Sequence, residues 1–200
     1  MKRIFISCAL FLCTISLSAQ TKMTAKEAAL KIADRILDST TYEFKNTKTG
    51  EVYKSVKKLP LSMDVKVACK YNNWHYTNGV TNIALMELAD KVGDKKYDKY
   101  VLKNMNFVFN EGNLDFFRRQ YDQAFKDGGW NAVRKLSWHM IFRGKRLDDN
   151  GPMGASLIEL QMRHPNEAFL SYVNETADHL NYAEPRLVDG TIARLWPHVN

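Results

Sequence analysis

Shifting the chain by 72 residues lays one stretch of it on another. Asn78-Gly79 falls on Asn150-Gly151, Leu85 on Leu157, and Glu87-Leu88 on Glu159-Leu160. The match continues with Asp94 on Asn166, Tyr97 on Phe169 and Tyr100-Val101 on Tyr172-Val173. Each copy reads as a loop, a helix opened by Asn-Gly, a short turn and a second helix, which is an antiparallel helical hairpin. A hairpin of this kind cannot bury its apolar face alone and must stack on neighbours. Two arrangements satisfy that need. One is an open solenoid, a binding scaffold. The other is a closed ring of hairpins, an α/α toroid, with the inner-helix starts gathered around a central pocket.

The rest of the chain agrees with a helical protein. Thr24 is placed to cap a helix over 25–37, with Ala29, Ile32, Ala33, Ile36 and Leu37 on one stripe. Apolar spacing predicts further helices over 79–92, 95–109, 114–125, 132–142, 152–162 and 167–180, with Gly93 and Gly128-Gly129 as breaks. Residues 46–50 are turn chemistry between Tyr42/Phe44 and Val52/Tyr53 and predict a short hairpin. Ten Gly and five Pro in 200 residues are too few for a sandwich of many tight turns. Hydrophobic content of 45% excludes wholesale disorder.

The amino terminus predicts export. Met1-Lys2-Arg3, the apolar run 4–17 and the small residues around Ala19 form the three parts of a secretory signal peptide, so residues 1–19 are expected to be removed. Lys2 and Arg3 leave with it, and the net charge falls from +7 to +5. Cys8 and Cys13 leave too, so Cys69 remains without an intramolecular partner and reads as an inert buried thiol. Lysines 45, 48, 54, 57 and 58 interleave with aromatics, as in a nucleic-acid patch or a solvated loop. Export favours the loop, so neither a nucleic-acid partner nor a stable membrane anchor is expected, and the oligomeric state is left open.

The chain has no His-Glu-x-x-His, Cys-x-x-Cys, Gly-x-Ser-x-Gly or phosphate-binding glycine loop, and its five histidines show no ligand spacing. No metal and no cofactor are expected. Two loop clusters instead occupy equivalent places in the repeat, Trp74–Gly79 and Leu147–Gly154. A helix start attracts anions, an aromatic pair offers flat faces to a sugar ring, and a carboxylate there can do acid–base work if its pKa is tuned. The alternatives are structural: Asp148, Asp149 or Asn150 as a helix cap, and Trp74 and Tyr76 as core.

The segments Trp74-x-Tyr76-x-x-Gly79, Leu147-Asp-Asp-Asn-Gly-Pro-Met-Gly154, Arg186-Leu-Val-Asp-Gly-Thr191 and Arg194-Leu-Trp-Pro-His-Val-Asn200 follow in an order seen in one group of exported bacterial carbohydrate enzymes. From about residue 25 onward the chain resembles the amino-terminal part of the unsaturated rhamnogalacturonyl hydrolases (glycoside hydrolase family 105), relatives of the family 88 unsaturated glucuronyl hydrolases. The resemblance implies an all-α fold, the amino-terminal half of a six-hairpin (α/α) barrel, over residues 20–200. It implies a glycosidase that removes an unsaturated uronic acid from the non-reducing end of lyase-generated oligosaccharides. An aspartate protonates the C4–C5 double bond, water adds at C5, and the hemiketal opens. This differs from two-carboxylate glycoside hydrolysis. Asp149 matches the family's first active-site aspartate, with Asp148 as the alternative. Trp74 and Tyr76 match the aromatic pair near the sugar; Asn78, Arg194 and His198 are further candidates for substrate binding. The family's main acid/base aspartate lies on a Leu-Trp-x-Asp-Asp motif expected after Asn200. The rival expectation is an exported helical-repeat binding module without catalysis.

A reporter fused to residues 1–25 should reach the periplasm and lose about twenty residues. A cytoplasmic product with an intact amino terminus would contradict the export reading.

Overall fold

The computed structural model describes residues 23–136, 138–142 and 147–193. The fold is mostly helical. Its elements in chain order are α1 (Ala25–Ser39), β1 (Phe44–Asn46), β2 (Val52–Tyr53), β3 (Val65–Val67), α2 (Tyr76–Val92), α3 (Lys96–Val108), α4 (Glu111–Val133), α5 (Leu147–Arg163) and α6 (Glu167–Asp178). Short 3-10 turns lie at Val56–Lys58 and His139–Phe142, and a π-turn follows α6 at His179–Ala183.

The two hairpins form as the repeat requires. Moving α2 and α3 by 72 residues places their ends within two residues of those of α5 and α6. The two copies lie side by side through their first helices. Gly79 of α2 sits on the backbone of Pro152 and Met153 of α5. At the other end Arg163 of α5 reaches Asp90 of α2, with Nη2 2.7 Å from Oδ2. Both early residues meet, and both late residues meet, so α2 and α5 run parallel. Each is then followed by an antiparallel return, α3 or α6.

This placement explains the composition of α2. Apolar residues surround much of it, because it packs on both α3 and α5, and a helix apolar on several sides belongs inside. Asn82, Leu85, Met86 and Ala89 are buried along it. Met86, Leu157 and Leu160 have essentially no exposed surface, and each such burial stabilises by about 1.5–3 kcal/mol.

Thr24 caps α1 with a full capping box: Glu27 N–H donates to Thr24 Oγ1, and Thr24 N–H donates to Glu27 Oε2. Helix α1 is tied to α3 through Asp34, which accepts from the Tyr97 hydroxyl at 2.9 Å and pairs with Lys96 at 2.7 Å. The small sheet has order β2-β1-β3, all antiparallel, with Phe44 opposite Tyr53 and Val67. Helix α4 covers it: Phe116 and Phe117 pack on Phe44, and Gln120 Nε2 donates to Ser62 O and Val65 O at 2.6 and 2.8 Å. Cys69, just past β3, is buried, as its apolar surroundings led one to expect.

Several boundaries differ from the expected ones. Helix α2 starts at Tyr76 and α5 at Leu147, so Asn78-Gly79 and Asn150-Gly151 lie within the helices. Proline's preference for the first helical position points to a start at 152. Contact with α2 extends the helix ahead of Pro152, and the carbonyl of Asp148 gives up its helical donor there. Helix α4 starts at Glu111, ahead of its expected limit, and its helical backbone breaks at Gly129 (φ 56°, ψ −148°), a conformation only glycine adopts readily, where the Gly128-Gly129 interruption is expected. The helix expected over 132–142 does not form as one piece. The chain turns at Arg134 and Lys135, and a 3-10 turn follows at His139–Phe142. Its apolar residues are buried all the same, because Leu136, Trp138, Met140 and Ile141 point into the core from irregular backbone.

At Gly79 a Cβ would overlap the Pro152 carbonyl carbon and lie 2.5 Å from its oxygen. Both are backbone and cannot swing aside. Gly79→Ala should therefore cost about 1–3 kcal/mol in denaturant unfolding, despite alanine's better helix propensity. A stabilised variant would contradict the close crossing of α2 and α5.

Candidate functional site

The parallel packing of α2 and α5 brings their starts to one end of the molecule. Tyr76 lies three residues ahead of Gly79, and Asp149 three ahead of Pro152, so the two backbones stand level across the crossing. Two helix starts side by side gather two positive dipole ends.

His75 caps α2: its Nδ1 accepts from Thr77 N–H at 3.4 Å and lies 2.9 Å from Thr77 Oγ1. Its ring packs on Tyr76, with centroids 4.6 Å apart. Tyr76 is 46% exposed and has an open face at the helix start. Trp74 does not. It is 1% exposed, and Tyr172 meets it in a T-shaped contact at 4.9 Å, with Phe109 and Trp138 further around it. Its indole N–H donates to Asn150 Oδ1 at 3.2 Å. Trp74 therefore positions the start of α5 and offers no free face to a sugar. Asn78 is also committed: its amide nitrogen donates to Lys70 O, Asn73 O and Asn73 Oδ1 at 3.2, 3.1 and 2.6 Å. The two asparagines related by the 72-residue shift thus do related work, each fastening the loop before α2.

Asp148 and Asp149 lie in the first turn of α5 by their backbone, where a carboxylate complements the helix dipole. Their side chains lie outside the described residues, as do Arg194 and His198. The segment Arg186–Thr191 closes on itself. Arg186 donates to Gly190 O and Leu180 O at 3.0 and 2.9 Å. Asp189 accepts the Thr191 N–H, which holds its carboxyl below the usual range.

Sequence reasoning did not point to the cleft beside these residues. A space of about 350 Å³ opens between the start of α5 and the end of α6, lined by Asn150, Tyr172, Glu175 and His179. A second, of about 320 Å³, shares Tyr172 and Glu175 and adds Arg118. Burial pushes the Tyr172 hydroxyl pKa well up, so it stays a neutral donor. Asn150 is 6% exposed, and among the described residues its Nδ2 has no partner. His179 Nε2 lies 3.0 Å from Glu184 Oε1. The available signal was the register itself, which lays Asn150 on Asn78 and Tyr172 on Tyr100. Among the described residues no cluster of His, Cys, Asp and Glu is placed to share a metal ion. No described helix is long and apolar enough to cross a membrane.

No protein-family model matches this chain, and no curated protein matches it.

Replacing Asn150 by Leu would leave the buried Trp74 N–H without its acceptor. The expected loss is about 1–3 kcal/mol of unfolding free energy, with a changed near-ultraviolet dichroism from Trp74. An unchanged unfolding curve would mean that this bond does not hold the start of α5.

Proposed function

We propose that the chain is an exported glycosidase of the unsaturated uronyl hydrolase type, built on the amino-terminal half of a six-hairpin (α/α) barrel. The observation that carries the reading is the meeting of two repeat-related helix starts, with the Asp148-Asp149 backbone on one and the open ring of Tyr76 level with it on the other. Parallel first helices, each backed by its antiparallel return, are what a ring of hairpins is made of.

In this reading Tyr76 stacks on the unsaturated sugar. Asp149, or Asp148 beside it, acts together with the main acid/base aspartate of the Leu-Trp-x-Asp-Asp motif, which protonates C4 of the C4–C5 double bond. Water adds at C5, and the hemiketal so formed opens and releases the remaining oligosaccharide. Trp74 and Asn78 act one step back by holding the helix starts in place.

A second reading, a helical-repeat binding module without chemistry, gains from the same two residues, because both are engaged in packing and loop tethering. The test is loss of the ultraviolet absorbance of an unsaturated uronyl disaccharide. In a form of the protein that carries the Leu-Trp-x-Asp-Asp motif, turnover that falls at least about a hundredfold in Asp149→Asn, with unfolding unchanged, supports the glycosidase. If Asp148→Asn alone is inactive, the role passes to Asp148. Saturable binding without turnover by that form, otherwise unaltered, supports the binding module.

A further inference from the structure

The contact between α2 and α5 uses two different stripes. Helix α2 contributes Gly79 at one end and Asp90 at the other, with Ile83 and the buried Met86 between them at helical spacing. Helix α5 contributes Pro152 and Arg163, with the buried Ser156 and the Arg163 partner Glu159 between them. The contact is therefore heterologous, with one kind of face meeting another.

Each helix also carries the other kind of face, and among the described residues that face is largely exposed in both cases, with Gly151 half-buried. The α5 residues related by the repeat to Gly79, Ile83, Met86 and Asp90 are Gly151, Ala155, Ile158 and Met162. Ile158 is 46% and Met162 69% exposed. The α2 residues related to Pro152, Ser156, Glu159 and Arg163 are Val80, Ala84, Glu87 and Lys91. Val80 is 55% exposed, and Ala84, Glu87 and Lys91 are exposed with it. Large apolar side chains on the outer side of two packed helices have no role in solubility, and a heterologous face is satisfied only by its complement.

We propose that the α5 stripe of one copy seats on the α2 stripe of a second copy, head to tail, repeating across molecules the contact that α2 and α5 make within one. The occupant follows from the internal interface, because the exposed faces are its two halves by register and this chain holds both. Gly151 then repeats the close approach of Gly79. Met162 takes the place of Asp90, and Lys91 takes the place of Arg163. The inference rests on the repeat and not on the glycosidase reading, so either can fail alone.

The register makes a specific test. Sedimentation velocity of the purified chain over a range of concentrations should show self-association. Ile158→Glu, which buries a charge at the junction, should weaken it at least about tenfold. Met162→Asp recreates the Asp90 role opposite Lys91 and should tighten association; Met162→Lys should weaken it, and Lys91→Glu in that background should restore it. Thermal unfolding of the dilute monomers should be unchanged, since all three positions are exposed. A chain monomeric at every concentration overturns the proposal, as does association indifferent to the charge swap. Resistance of Met162 to peroxide oxidation in the dilute monomer also overturns it, because the chain's own residues would then cover the face.

Discussion

The crossing of α2 on α5 at Gly79 is the contact on which the rest of the structure depends. With no side chain at that point, the backbone of one helix rests on the Pro152 and Met153 backbone of the other. That approach sets the two hairpins parallel and in step. It lets Asn150 reach the Trp74 indole and puts Arg163 within reach of Asp90 at the far end. Close approach also raises the number of atoms in van der Waals contact, so much of the apolar surface of α2 is covered on two sides.

The two ends of this pair are held by different physics. At the start, a buried tryptophan and a buried asparagine share a hydrogen bond inside an aromatic cage of Tyr172, Phe109 and Trp138. Such a bond is costly to break because neither partner can turn to water. At the other end Arg163 bridges Asp90 and Glu159 at 2.7 and 2.8 Å, next to the pair of His164 with Asp98. Asp90 is largely exposed, so this cluster contributes orientation more than stability. The rigid end is also the end that carries the candidate site, and a constellation is best held where its supports are packed.

The hairpins were legible because their repeat registers apolar and turn residues together, and α1 because Thr24 and Glu27 spell a capping box. The helix starts were not, because they depend on contacts 76 residues apart in sequence, Trp74 with Asn150 above all. Local rules placed Pro152 at the first helical position, and tertiary contact moved it inside. Residues 132–142 show the opposite failure. Their apolar spacing was read as helical, but burial of Leu136, Trp138 and Ile141 is achieved from a turn and a single 3-10 segment. The site was legible as two loops in equivalent places. That Trp74 faces inward while Tyr76 stays open depends on Tyr172 and Phe109, which no local pattern connects to it.

Parallel, in-step packing of α2 and α5 is the central claim, and spin-label distances measure it directly in a dilute monomer. Labels at the exposed positions Val80 with Ala155, and Lys91 with Met162, should give two short and similar distances. The crossed pair Val80 with Met162 should be longer, since about seven residues of helix rise separate Ala155 from Met162. A crossed pair shorter than both matched pairs would mean that the helices run antiparallel, and the account of the fold and of the site would not stand.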